Sequence, residues 1–259
     1  MLARAKSLLP HGPLDLARQL VLFCGAYWLY RLVRGLVDGR AHEAFANARA
    51  LVDVERDLGL FFEPGLHAWA TGHQLVIDAS SWMYLNSHFA VTTVTLAWIY
   101  LRRNERFYFV RNMFMVAMGL ALVGYVALPT APPRFMPELG FADSVAAFTG
   151  VQADSGSADV LFNPYAAIPS MHVAFALMLG VTMARMTHRR WAQALWWGYA
   201  PVVSFVVVVT ANHWWLDGFL GALVAGVAAA CAHGVFARAR PEVWAWDAAP
   251  RRQPVASLP

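Results

Sequence analysis

Two histidines, His172 and His213, stand 41 residues apart at the two ends of an apolar stretch. A helix needs ~20 apolar residues to cross a bilayer, so ~40 residues make one crossing and one return. Both imidazoles are therefore expected on the same side of a membrane. The first follows Asn163-Pro164-Tyr165-Ala166-Ala167-Ile168-Pro169-Ser170-Met171; the second lies in Thr210-Ala211-Asn212-His213-Trp214-Trp215-Leu216-Asp217. Ionisable groups at membrane depth are costly and point to function.

His213 and Asp217 are four residues apart, which on a helix puts them on one face a turn apart. The carboxylate would accept a hydrogen bond from one imidazole nitrogen and leave the other as a nucleophile or base. A packing histidine beside a structural acid is the plainer alternative. Pro169 suits the first turn of a helix, where its missing N–H costs nothing. The amides of Ser170, Met171 and His172 would then lack intrahelical acceptors and form an anion cradle. His172 could protonate a leaving oxygen, and Asn212 could donate from beside His213. A metal-dependent hydrolase with His172, His213 and Asp217 as ligands is a second class, although the spans supply few further ligands. No metal or other cofactor is expected.

Composition sets the setting for this chemistry. The 259 residues are 59% hydrophobic and 14% charged, with mean hydropathy +0.45, too apolar for a soluble domain of this length. The net charge of +4 comes from short arginine clusters between apolar runs, so no continuous basic face is expected to bind nucleic acid. Cys24 and Cys231 both fall inside apolar runs and read as small buried residues. A single lysine, Lys6, amid abundant arginine and alanine fits coding by a GC-rich bacterial genome.

The elements that must position these residues are about six membrane spans. They are expected near Leu16–Leu36, Ser81–Leu101, Tyr108–Leu128, Tyr165–Met186, Ala194–Ala211 and Leu216–Phe236. The fold class is thus all-α, a polytopic helical bundle, with residues 1–240 forming one membrane-embedded catalytic domain. Arg102, Arg103 and Arg106, then Arg185, Arg189 and Arg190, then Arg238, Arg240, Arg251 and Arg252 fall between or after spans on one side. The positive-inside rule makes that side cytoplasmic, with both termini, and turns His172 and His213 outward. Residues 38–80 form an outer interfacial segment. Within it Ala46, Ala50, Leu51, Val54, Leu58, Phe61 and Phe62 recur at helical spacing, opposite Asp53, Glu55, Arg56 and Asp57. Residues 129–163 make an outer loop, Trp82, Trp214 and Trp215 suit an outer aromatic belt, and residues 241–259 are expected to be a disordered cytoplasmic tail.

Pro169-Ser170-Met171-His172 followed by His213 and Asp217 resembles the type 2 phosphatidic acid phosphatase superfamily, whose motifs are Pro-Ser-Gly-His and a later His with Asp four residues on. The resemblance covers about half the chain, from Phe107 to Phe236, and implies a helical membrane enzyme acting on lipid phosphates. It implies His213 as the nucleophile that becomes a phosphohistidine, Asp217 as its orienting acid and His172 as general acid. The chain departs from the family pattern in three places. The first motif's lysine has no counterpart, Val206 and Val207 stand where the third motif has Ser-Arg, and Met171 replaces a glycine. These departures, with Asn163-Pro164-Tyr165 and His213-Trp214-Trp215-Leu216-Asp217-Gly218, look more like the inositol phosphorylceramide synthase branch and its bacterial relatives.

Arg134, held between prolines in Pro129-Thr130-Ala131-Pro132-Pro133-Arg134-Phe135, is the first candidate for a phosphate clamp. Ser170, Met171 (through its backbone) and Asn212 would complete the phosphate site, and Asn163, Tyr165, His88 and Arg111 are candidates for a head-group pocket. Expected partners are membrane lipids. A phosphomonoester carries close to two charges near neutral pH, and a phosphodiester carries one. With one matching arginine, the sequence favours transfer of a phospho-head group from a phosphodiester lipid to a lipid hydroxyl. A lipid phosphate or polyprenyl diphosphate phosphatase is the alternative, and an inactive scaffold a further one.

Overall fold

Each expected span is occupied by helix, and the helices alternate in direction as an out-and-back bundle requires. The computed structural model describes residues 9–35, 38–150 and 165–248, with no strand among them. The first span is α1 (Gly12–Gly35). Two helices, α2 (Ala41–Asp57) and α3 (Glu63–Thr71), then lead to α4 (Gln74–Trp82). A π-helical turn at Met83–Ser87 joins α4 to α5 (His88–Arg102), so the second span is one helix with a local bulge. Next come α6 (Asn104–Ala127) and, after an irregular loop, the short α7 (Ser144–Thr149). The last three spans are α8 (Met171–Met186), α9 (Arg190–Val209) and α10 (Trp215–Ala239). Three of the six, α6, α9 and α10, are long and apolar enough to cross a membrane by themselves. α8 is apolar but only 16 residues long.

The protein is a helical membrane bundle built around α8. Met171, Ala174, Met178, Leu179 and Met183 of α8 are buried against α6 and α10, and Val173 and Ala176 against α9. The outward faces stay apolar, as a bilayer solvent requires: Leu20, Val21 and Leu22 of α1, Leu195 and Val202 of α9, and Phe219, Leu223 and Val227 of α10 are exposed.

α2, α3 and the 128–143 loop cover one end of the bundle. Ala44, Ala48, Leu51 and Val52 of α2 pack with Ala131, Met136, Phe141, Ile168, Ala211 and Trp214. α2 is amphipathic as expected, but its inward stripe differs. Leu51 and Glu55 face in, while Val54, Leu58 and Phe62 are exposed. Apolar residues on two sides let α2 pack inward on the cap and present a second apolar face outward. Trp214 is likewise no belt anchor: its side chain is fully buried and its indole N–H donates to the Ala131 carbonyl at 3.0 Å.

At the opposite end the chain stays packed beyond Arg240. α11 (Pro241–Trp244) buries Val243 in the main core. Trp246 packs edge-on against Phe109 and lies beneath the Arg106 and Arg185 guanidinium groups at 4.8 and 4.9 Å. The tail expected to be disordered from residue 241 is therefore ordered through Ala248, because two arginines between spans give its tryptophan a cation–π seat. Residues 249–259 lie outside the described residues.

Candidate active site

His213 is positioned by a tight reversal between α9 and α10. After Val209 the chain passes through Ala211 at φ +54°, a left-handed conformation that costs a non-glycine residue about 1 kcal/mol. Several bonds hold it there. The Asn212 and His213 amides both donate to Val207 O at 3.0 and 3.1 Å, and the Arg134 amide donates to Ala211 O at 2.8 Å. The Ser144 hydroxyl donates to Thr210 O at 3.1 Å. His67 bridges from below, with Nδ1 2.7 Å from Val209 O and Nε2 accepting from the Ala142 amide at 3.1 Å.

The His213–Asp217 pair forms, though not as two residues of one helix. His213 precedes α10, Trp214 is the N-cap, and Asp217 is the third helical residue. Asp217 Oδ2 accepts the Trp214 amide at 2.9 Å and lies 3.2 Å from His213 Nδ1. One carboxylate therefore caps the helix and orients the imidazole. Its Oδ1 makes no hydrogen bond among the described residues.

His172, the second residue of α8, meets His213 with ring centroids 5.5 Å apart. Its other side is lined by the second span: Tyr84 stacks on it at 4.7 Å and the His88 ring lies 4.4 Å away. His88 is in turn stacked on Phe175 at 5.5 Å. His88 thus lies directly beside His172. Tyr84 was not anticipated; the spacing of Tyr84 and His88, four residues apart within an apolar span, was the available signal. The π turn that carries Tyr84 is a common device at functional sites.

The two histidine segments are tied through their backbones. The Ser170 amide donates to the Asp217 carbonyl at 2.9 Å, and the Ser170 hydroxyl accepts the Val173 amide at 3.5 Å as N-cap of α8. Pro169 stands outside the helix, and its carbonyl accepts the Tyr125 hydroxyl at 3.2 Å. The Ser170 backbone amide is thus committed to the tie with Asp217, while its hydroxyl, which accepts at the cap, keeps its own O–H to donate. The first-turn amide of Met171 keeps no partner among the described residues. Two glycines allow this approach: a Cβ on Gly221 would lie 2.2 Å from Ser170 O, and one on Gly124 would lie 2.6 Å from Pro169 Cδ.

Arg134 reaches the site's edge. Its guanidinium hydrogen-bonds Asn212 Oδ1, lies 3.7 Å from Asp143 Oδ2 and covers the Phe135 ring at 4.7 Å. The Asn212 amide group donates to Thr210 O and Oγ1 at 3.1 and 2.9 Å, so Asn212 holds Arg134 and has no spare donor for a ligand. Tyr165 packs in the cap against Phe45 and Phe135. Asn163 lies outside the described residues.

Arg111 is not brought to the site. It bonds Gln19 Oε1 at 3.0 Å and Asn112 Oδ1 at 2.7 Å, near Asp15, which accepts the Tyr100 and Tyr108 hydroxyls. Tyr125, which touches the site, lies 14 residues further along α6, or about 20 Å of helix. Arg56 is half exposed and pairs with Asp53. Among the described residues no three His, Cys, Asp or Glu side chains are grouped to hold a metal ion.

Glu55 and Glu63, which the sequence reading left out of the site, are buried beside it. Glu63 Oε1 accepts the Trp215 amide at 3.2 Å and Glu55 Oε1 accepts the Leu216 amide at 3.4 Å. Burial, and next the neighbouring Glu63 charge, push the Glu55 carboxyl up to about 9.

Fold and site together define a polytopic helical membrane protein with facing histidines, one of them oriented by a buried carboxylate, at one end of its bundle. A family model described as the PAP2 superfamily matches residues 49–231, more than half of the chain, and the chain belongs to that superfamily. Membership makes it a protein of lipid phosphatase or phosphotransferase type. No curated protein and no solved structure matches it.

Proposed function

We propose that this protein is a membrane phosphotransferase that moves a phospho-head group from a phosphodiester lipid, such as phosphatidylinositol, to a lipid hydroxyl. Within the PAP2 superfamily this reading places it in the inositol phosphorylceramide synthase-like branch. His213 is the nucleophile: with Nδ1–H donated to Asp217, Nε2 carries the lone pair that attacks phosphorus. The P–O bond to the diacylglycerol oxygen breaks, and His172 supplies the proton to that oxygen. His172 then takes the proton of the acceptor hydroxyl as its oxygen attacks the phosphohistidine, which returns His213 to its starting state.

The observation that carries the transferase reading is the count of cations. Arg134 is the only arginine among the described residues hydrogen-bonded to a neighbour of His213, and Asp143 already offsets part of its charge. Arg111 and Arg56 have partners elsewhere. One guanidinium and the first-turn Met171 amide suit the single charge of a phosphodiester better than the two of a monoester. Incubating the purified protein in vesicles with phosphatidylinositol and a lipid alcohol should yield head-group transfer faster than phosphate release from phosphatidic acid. The reverse ranking would establish a phosphatase.

The site faces outward in this reading, with both termini cytoplasmic in a bacterial plasma membrane. Arg106 and Arg185, seated on Trp246, mark the opposite end of the bundle. Thr149→Cys and Arg189→Cys, each in a background lacking Cys24 and Cys231, test it with an impermeant thiol reagent on intact cells. Only Thr149→Cys should label; labelling of Arg189→Cys alone inverts the topology.

A further inference from the structure

Three buried carboxyl groups from three helices converge on the first turn of α10. Asp217 takes the Trp214 amide, Glu63 of α3 the Trp215 amide and Glu55 of α2 the Leu216 amide. None of the three has any measurable exposure, and none is in an ion pair with an arginine or lysine among the described residues. The cations and other titratable groups nearby are committed elsewhere. Arg134 turns to Asn212 and Asp143, Arg56 to Asp53, and His67 to Val209 O and the Ala142 amide. Asp217 from α10 is the remaining charge that faces the glutamates.

Two ionised glutamates cannot sit side by side in such a place. Their Oε1 atoms sit on consecutive amides of one helix turn, which holds the two carboxyls side by side, and each leaves its Oε2 buried without a hydrogen-bond partner among the described residues. One proton shared by the pair would remove one negative charge, give the unpartnered oxygens a hydrogen bond and leave each Oε1 to hold its helix amide. Neighbouring buried carboxyls commonly share a proton for that reason.

We propose that Glu55 and Glu63 hold one proton between them and act as a positioning pair, clamping the Trp215 and Leu216 amides so that Asp217 keeps His213 aimed at the substrate. The pair touches neither substrate nor His213. It fixes the turn of helix from which Asp217 projects, and it does so from the segment that covers the site. The proposal rests on the reading of His213 as nucleophile, which it extends to the cap.

The raised carboxyl value gives the pair a definite pH signature. Between the ordinary 4.5 and about 9 the folded protein keeps a proton that the unfolded chain has released. Its contribution to stability is therefore full below the ordinary value and falls as pH rises toward about 9. Above that the carboxylates repel and the clamp opens, so kcat should fall on the alkaline side.

Infrared spectroscopy of the protein in lipid nanodiscs tests the shared proton without any substrate. A carboxylic C=O stretch present at neutral pH should disappear near pH 9, and Glu55→Gln should lose that intensity. Absence of the titrating band, or an unchanged band in Glu55→Gln, overturns the proposal. Kinetics test the positioning. Glu55→Ala should lower kcat about 100-fold with KM little changed, as misplacement of a catalytic group does. Glu55→Gln mimics the protonated member, so it should keep most of kcat and lose the alkaline limb. Wild-type kcat in Glu55→Ala, or an unmoved alkaline limb in Glu55→Gln, also overturns it. If the wild-type protein transfers no head group, the function reading falls while the infrared result still decides this one.

Discussion

Two helices begin within hydrogen-bonding distance of each other, and their N-termini are treated in opposite ways. The first turn of α10 meets three carboxyl groups, one for each of the Trp214, Trp215 and Leu216 amides. The first turn of α8 meets one hydroxyl, Ser170, on the Val173 amide. Both termini carry the positive end of a helix dipole and unsatisfied N–H groups. At α10 that potential is spent inside the protein on holding Asp217 and thereby His213. At α8 it is left unspent beside His172, where the proposed function puts the phosphate. Neighbouring elements of the same kind thus serve different ends, one rigid and internally neutralised, the other receptive. The Ser170 amide bonded to the Asp217 carbonyl keeps them in register.

The division predicts effects of very different size. Changes to the nucleophile's side should be the most severe. His213→Ala is expected to lose turnover by about 10⁴-fold or more, and Asp217→Asn to lose a large part of it with the fold retained. A phosphoenzyme formed from labelled lipid should be acid-labile and missing in His213→Ala; its persistence there would remove His213 from the mechanism.

Next comes the contact between the two termini. Gly221→Ala puts a methyl 2.2 Å from Ser170 O, so α8 and α10 must part. We expect a loss of about 1–3 kcal/mol in stability and a fall in kcat. An unchanged melting temperature and rate would mean that the register does not matter. The receptive side should respond more gently. Arg134→Gln should lower kcat/KM about 10–100-fold through the loss of a charged hydrogen bond, with Arg134→Lys recovering only part of it. Equal activity in all three forms would show that the phosphate is held elsewhere. The smallest effect is expected for Ser170→Ala, about 1 kcal/mol from a lost N-cap, read as a lower melting temperature with catalysis largely intact because the Ser170 amide remains. A loss of turnover as large as that of His213→Ala would instead give the hydroxyl a chemical role.

Much of this was legible because a membrane makes hydropathy informative. The spans, the common side of His172 and His213, the pairing of His213 with Asp217 and the proximity of His88 all follow from apolar runs and short spacings. What escaped depends on contacts distant in sequence. Glu55 sits among Asp53, Arg56 and Asp57, and charge alone assigns all four to the solvent side of α2. Its true surroundings, the amides of a helix that starts some 160 residues later, leave no mark in the local pattern. Arg111 failed as a pocket residue because a helix keeps its residues at fixed height, far below the site. Trp214 has the composition of a belt residue, yet its indole finds a buried carbonyl across the cap. Sequence does not reveal that the Ser170 backbone amide and the Asn212 side-chain amide are already used inside the protein.

The length of α8 has one more consequence. Its 16 residues span about 24 Å, less than the ~30 Å hydrocarbon thickness of a typical bilayer. In the proposed orientation, with its far end held at the arginine-rich surface, its His172 end would sit several ångströms short of the opposite surface. The imidazoles proposed to react would then be sunk toward the level of lipid ester groups, where water is scarce and lipid hydroxyls are concentrated. On the proposed mechanism, choice of acceptor would then be a question of depth: the molecule that competes best for the phosphohistidine would be the one whose oxygen resides at that level. A thicker bilayer should shift products toward transfer, and a thinner one should let hydrolysis in.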